Sequence, residues 1–288
     1  MFSSSFASVS AARLALRAVF AWLLLAPFLP ARAELMLHPT RIVFDKNARA
    51  AQIELINTGS KPASYRISLV NRRMTEAGQF EAAETAQDGE RFADAMLRYS
   101  PRQITLQPGT AQTVRVMLRK PAELAEGEYR SHLQFDKLPD AEGKASVENK
   151  GKDKDATQIG VVLNALVGAS VPVIVRHGGA DASIALAGLA LRKDEAGRPQ
   201  LALQCEREGG NSVYGDVSVT FTPRSGKPHS LAQVGGIAVY TPNRVRKATL
   251  ALEVPAGVAL AAGTLEVSYR DRPEAGGKLL AQASLNLP

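Results

Sequence analysis

With 288 residues, 45% of them apolar, the chain can build one large β sandwich or two of immunoglobulin size, each around its own core. Its formal net charge of +7 is dispersed, with no basic stripe interleaved with aromatics, which excludes a nucleic-acid-binding surface. A single cysteine, Cys205, excludes an intrachain disulfide, so stability has to come from apolar burial.

Residues 1–33 read as a signal peptide. Arg13 and Arg17 form a basic start, residues 18–29 are almost wholly apolar, and Ala31-Arg32-Ala33 is an A-x-A cleavage site. So short an apolar run does not cross a bilayer, so export is expected and a permanent membrane anchor is not. Cleavage before Glu34 removes three arginines and no acid, which lowers the net charge from +7 to about +4. Trp22 lies in this leader, which excludes an antibody-type domain with its buried tryptophan and disulfide.

Residues 35–44, 51–56 and 64–70 are predicted as the first three strands, with Asn57-Thr58-Gly59 as the turn between the second and third. Residues 74–94 are acidic, alanine-rich and poorly alternating, which predicts a surface excursion with one helical turn. Over residues 98–119 the pattern is clearest. Ile104 and Leu106 alternate with polar neighbours, Val114, Val116 and Leu118 do the same, and Pro108-Gly109 between them is turn chemistry. This segment is predicted as a β-hairpin of a two-sheet sandwich. A strand over 128–136 follows, then a charged loop over 138–157 that is poor in apolar residues.

Residues 158–176, QIGVVLNALVGASVPVIVR, form a long apolar run. Gly160, Gly168 and Pro172 argue against an uninterrupted helix, and the valine and isoleucine content favours strand. Apolar side chains at both parities predict burial on both faces, one on the protein's own core and one against a partner. Pro172, which lacks an N–H, predicts a sheet edge or bulge at that point. His177-Gly178-Gly179 makes a hinge, after which seven strands are predicted at 183–191, 200–204, 213–221, 231–240, 248–254, 264–270 and 278–287. The domains expected are therefore 34–177, carrying the loop 138–157 and the strand 158–176, and 178–288. The fold class is all-β, two immunoglobulin-like sandwiches in an L- or boomerang-like arrangement. Cys205 reads as a small buried strand residue.

The order of these motifs resembles the PapD-like periplasmic chaperones of pilus assembly. The resemblance rests on Thr40-Arg41-Ile42-Val43-Phe44 followed by the Asn57-Thr58-Gly59 turn, and on Ser100-Pro101-Arg102, Leu106-Gln107-Pro108-Gly109 and Thr113-Val114-Arg115-Val116. It continues through Glu128-Tyr129-Arg130-Ser131-His132-Leu133-Gln134-Phe135 and the apolar strand ending in Arg176. It covers residues 35–178 by motif and 179–288 by architecture only. It implies that residues 159–167 add a strand to an incomplete pilin-type subunit, with Val161, Leu163, Ala165 and Val167 facing that subunit. It implies that Arg41 grips the subunit's C-terminal carboxylate and that an outer-membrane usher receives the complex. It also implies a periplasmic location and no cofactor. The lysine that partners this arginine in the family falls at Pro172 here, so the second half of the anchor is missing or built differently. Self-association of the apolar strand in the absence of cargo is a further expectation.

Enzymatic readings lack their residues. His38, His132, His177 and His229 are scattered without metal-ligand spacing, and no G-x-S-x-G elbow is present. Two non-enzymatic alternatives stay open: a structural or adhesive two-domain envelope protein that binds through loops, and a chaperone for non-pilus exported cargo.

Overall fold

The computed structural model describes residues 34–139 and 168–288. The chain opens with β1 (Leu35–His38), whose ladder ends at Pro39, a residue with no N–H to donate. After Thr40 and Arg41 it resumes as β2 (Ile42–Phe44). The two pieces belong to different sheets. β1 pairs with β3 (Ala50–Asn57), whereas β2 runs parallel to the later strand at Gly168–His177, with Ile42 opposite Val173. The single strand predicted over 35–44 is thus two strands, and Arg41 sits where the chain crosses from sheet to sheet.

Next come β4 (Ala63–Val70), the short pair β5 (Arg72–Met74) and β6 (Phe80–Ala82), a 3-10 turn at Asp94–Met96, and β7 (Leu97–Ser100). β8 (Gln103–Leu106), β9 (Ala111–Leu118), β10 (Gly127–Lys137) and β11 (Gly168–His177) complete this half. One sheet has the order β1-β3-β9-β7 and the facing sheet the order β2-β11-β10-β4-β8. The 3-10 turn begins at Asp94, the last residue of the excursion, so the helical turn expected within 74–94 lies at its end. The β5–β6 pair was not predicted, because three-residue strands are too short to show an alternation.

The hairpin predicted over 98–119 does not form. β8 pairs with β4 and β9 pairs with β3 and β7, so Pro108-Gly109 arches from one sheet to the other. The turn chemistry itself is as expected: Thr110 N donates to Gln107 O at 3.1 Å, and Gly109 takes a positive φ of 70°. Ile104, Leu106, Val114, Val116 and Leu118 all enter one core with Phe44, Leu55 and Phe135. A period of two marks which side chains go inward. It does not say whether the next strand lies beside or across from its neighbour.

The second half contains β12 (Ala182–Lys193), β13 (Pro199–Gly209), β14 (Val213–Pro223), β15 (His229–Val239), β16 (Val245–Ala251), β17 (Gly263–Asp271) and β18 (Leu279–Leu287). These form sheets β12-β13-β16 and β15-β14-β17-β18 around a second core that includes Leu201, Val219, Phe221, Leu265 and Tyr269. Cys205 is fully buried in that core, and burial pushes its thiol up to about 11. A third, small cluster of Met74, Ile174, Ala238 and Tyr240 joins the two sandwiches.

That cluster corrects one expectation about the apolar run. Val171, Val173 and Val175 face the first core, and on the other face Ile174 is covered by the second sandwich rather than by a partner. Residues 158–167 lie outside the described residues. Pro172 stands opposite His132 of β10 and just before the stretch that β2 flanks. Among the described residues it therefore has a strand on one side only, as its missing donor requires.

Candidate functional site

The junction of the sandwiches is built from the crossing point at Arg41, from β10 and the end of β11, and from the start of β14. Arg41 Nη2 donates to Ser212 Oγ at 3.1 Å. Its guanidinium lies over two rings, Tyr214 at 4.7 Å and Tyr240 at 5.5 Å from the centroids. Nε and Nη1 are buried with no acceptor. Burial pulls this guanidinium below the ordinary arginine range, while Tyr240 and Glu128 work against that shift.

Glu128 is the carboxylate of the junction, with its side chain fully enclosed. Its Oε2 accepts from Arg176 Nε at 3.1 Å, from Ser212 N at 3.0 Å and from Ser212 Oγ at 2.9 Å. Thr241 Oγ1 donates to Oε1 at 3.3 Å. Arg176 reaches across as well, with Nη2 donating to Ser212 O at 3.0 Å. Ser212 thus receives from Arg41 and gives to Glu128, and its carboxylate partner is committed before Arg41 can pair with it. Glu128 and Arg176 tie the sandwiches together. Arg41 keeps donors to spare.

A second buried arginine stands nearby. Arg130 is 7% exposed, with its guanidinium 4.4 Å from the Tyr240 centroid. Nη2 donates to Arg72 O at 3.3 Å, and Nε and Nη1 have no acceptor. Beside it His132 is 1% exposed, packs edge-on against Phe80 at 5.0 Å, and bonds through neither ring nitrogen. Burial first, then Arg130 and Arg72, lower its pKa to about 3.

The hairpin β5–β6 closes this side. Asn243 Nδ2 donates to Met74 O at 2.7 Å, Lys247 N donates to Glu76 O at 2.6 Å, and Lys247 Nζ pairs with Glu76 at 2.7 Å. On the other side a cavity of about 780 Å³ opens between the sandwiches, lined among others by Arg41, Arg176, Ser212, Tyr214 and Arg272. Arg272 is paired with Asp216 at 2.8 Å. An open cavity ending on a buried guanidinium with unmet donors is suited to an anion, and planar N–H pairs suit a carboxylate.

Of the residues singled out from sequence, Arg41 stands in this cavity wall. Val161, Leu163, Ala165 and Val167 lie outside the described residues. Sequence reading passed over Glu128, Arg130, Ser212, Tyr214 and Tyr240. Glu128 and Arg130 alternate with Tyr129 and Ser131 and so read as a solvated strand face. That face is buried only because the second sandwich and the β5–β6 hairpin cover it.

Two β sandwiches in series, joined by an arginine-rich cleft, define a two-domain protein of immunoglobulin-like class. Residues 34–164 match the family of pili and flagellar-assembly chaperones at its PapD N-terminal domain. Over that segment, which makes up most of the N-terminal sandwich, the chain is similar to PapD-like pilus-assembly chaperones. No curated protein sequence matches the chain. Similar solved structures include the YadV chaperone, at 13% identity and a TM-score of 0.43, covering 88% of this chain and 100% of that one. They also include the CsuC–CsuE chaperone–tip adhesion subunit pre-assembly complex from archaic chaperone-usher Csu pili of Acinetobacter baumannii, at 15% identity and a TM-score of 0.43, covering 88% and 98%. The Pseudomonas aeruginosa CupB2 chaperone is similar at 11% identity and a TM-score of 0.41, covering 88% and 100%.

Proposed function

We propose that this protein is a pilus-assembly chaperone that works in the periplasm, after export through the leader 1–33, and holds pilin-type subunits by lending them a strand. Residues 159–167 precede β11 directly, and Val161, Leu163, Ala165 and Val167 plug an incomplete subunit core while main-chain hydrogen bonds zip the two strands. Each buried plug contributes about 1.5–3 kcal/mol, so four of them and their ladder hold a subunit without covalent chemistry or a cofactor. The working units are residues 34–177, which carry the donor strand, and 178–288, which form the far wall of the cleft. The complex is then delivered to an outer-membrane usher. Without cargo, the exposed donor strand favours self-association.

The observation that carries this reading is the state of Arg41. Arg41 lines an open cavity, two of its guanidinium nitrogens are buried without acceptors, and the carboxylate of the junction is already taken by Arg176 and Ser212. A subunit's C-terminal carboxylate meets that need, and fixing the terminus sets the register of the donated strand. The test is a periplasmic pull-down of the tagged mature chain beside Arg41→Ala and Leu163→Asp, read by mass spectrometry. Small secreted subunits retained by the wild type and lost from both variants are expected. The same partners in all three samples would remove strand donation and leave a loop-binding envelope protein. Loss with Leu163→Asp alone would keep the chaperone and remove the carboxylate anchor.

A further inference from the structure

The β5–β6 hairpin lies over polar atoms that have no partner among the described residues. His132 is 1% exposed and bonds through neither ring nitrogen, and Nε of Arg72, Nε and Nη1 of Arg130 and Nε of Arg246 are buried in the same state. The hairpin touches all of them. Phe80 of β6 packs on the imidazole at 5.0 Å, and Arg72 is part of β5. Arg130 Nη2 donates to Arg72 O, and the Arg246 guanidinium fills the space beside Gly78 at the turn. Polar groups buried without partners are costly, so closure of the hairpin is opposed by what lies beneath it.

The cover is also thin. Of the hairpin's strand residues only Met74 is buried, and Phe80 is 39% exposed although it covers a side chain that is not. The hairpin's ties to the second sandwich include Asn243 Nδ2 to Met74 O, Lys247 N to Glu76 O and the exposed Glu76–Lys247 pair. An element with so little buried apolar surface opens at a lower free energy than the cores on either side.

His132 has no other route to water or to an acceptor. Its neighbours across the sheet are Val70 on β4 and Pro172 on β11, whose side chains offer no acceptor. Along β10 it stands between Arg130 and Gln134, and the Gln134 amide is occupied by Arg72 and Asp136. The second sandwich brings Tyr240 up behind Phe80 and Arg246 to the hairpin turn, and neither is an anion. The carboxylates that act on Arg130 are committed elsewhere, Glu128 to Arg176 and Ser212 and Glu90 to Arg73. Burial first, and then Arg130 and Arg72, keep the imidazole neutral in the closed protein down to about 3. Once exposed to water it takes up a proton near 6.5, so acid favours the open hairpin over the closed one.

We propose that the β5–β6 hairpin is an acid-released latch between the two sandwiches: a proton taken up by His132 holds the hairpin open, removes Phe80 and Met74 from their cluster with Tyr240, and loosens one half of the molecule from the other. Tyr240 also lies under the guanidinium of Arg41, so release reaches the wall of the cavity. The latch is independent of what the cavity holds.

The experiment is native-state hydrogen exchange of the mature full chain at pH 7 and pH 5, read by nuclear magnetic resonance and corrected for the intrinsic rate at each pH. The reporters are the amides of Thr75, Ala83 and Lys247, which donate within or to the hairpin and its base, beside amides of the β14–β17 ladder. At pH 7 the hairpin amides should open about tenfold or more as often as the ladder. Their opening should rise about 25-fold at pH 5, the gain from one group whose proton affinity moves from about 3 closed to about 6.5 open. His132→Phe should leave hairpin opening equal at the two pH values, and His132→Leu serves if His132→Phe does not fold. Hairpin amides that open only together with the ladder would overturn the latch. A separate opening that is equal at both pH values in the wild type, or a rise that persists without His132, would overturn its control by this histidine.

Discussion

His132 shows how much a single buried side chain can weigh. Its imidazole is enclosed between Phe80 and the arginines at 72 and 130, with neither nitrogen bonded. In the unfolded chain it takes up a proton near 6.5, and in the folded protein only near 3. Acidification through that window therefore favours unfolding. At pH 5 the loss relative to pH 7 should be on the order of 2 kcal/mol. His132→Phe should flatten this difference in urea unfolding at the two pH values. An unchanged slope would move the cause to carboxylates such as Glu90, which Arg73 holds below its usual range and which acts at lower pH. Glu128 is the opposite case, a charge fully satisfied. Glu128→Ala should cost about 3–5 kcal/mol of unfolding free energy, read from urea unfolding, because Arg176 and Ser212 lose their shared acceptor.

Among the elements, the β5–β6 hairpin has more influence than its six strand residues suggest. It emerges from the N-terminal sandwich, buries Met74 against Ile174, Ala238 and Tyr240, and bonds to Asn243 and Lys247 of the second sandwich. Gly78 at its turn, with φ 80°, packs so tightly on the Arg246 side chain that a Cβ there would lie 2.5 Å from it. The hairpin thus acts as a clasp. Met74→Ala should remove about 2–5 kcal/mol, and the loss falls between the sandwiches rather than within either. The expected signature is separation of one calorimetric unfolding transition into two. A single transition shifted as a whole would mean that the clasp does not govern the coupling.

As a whole molecule, the protein divides its tasks between two cores and one junction. The second core, from Ile184 to Tyr269, is drawn from residues beyond the hinge, while Ala238 and Tyr240 are the buried apolar residues of that half that pack in the cluster with Met74 and Ile174. Residues 178–288 should therefore unfold cooperatively as an isolated fragment, seen in near-ultraviolet circular dichroism. A fragment without a cooperative transition would show that the second sandwich depends on the first. The cleft needs both halves, since Arg41 and Glu128 come from one and Ser212, Tyr214 and Tyr240 from the other.

Inward and outward side chains, the turns at Asn57 and Gly109 and the seven strands beyond Gly178 were all legible from local chemistry. Alternation, turn residues and motif order are properties of neighbours in the chain. Pairing across the Pro108-Gly109 arch was not legible, because one alternation serves a strand beside its neighbour or across the core from it. The polar face of β10 was not legible either. Glu128, Arg130 and His132 have the spacing of a solvated face, and they are buried because β14, β15 and the β5–β6 hairpin pack over them. A charge's burial depends on what folds against it from far along the chain. The cleft, its excess of guanidiniums and its saturated carboxylate are therefore products of tertiary packing.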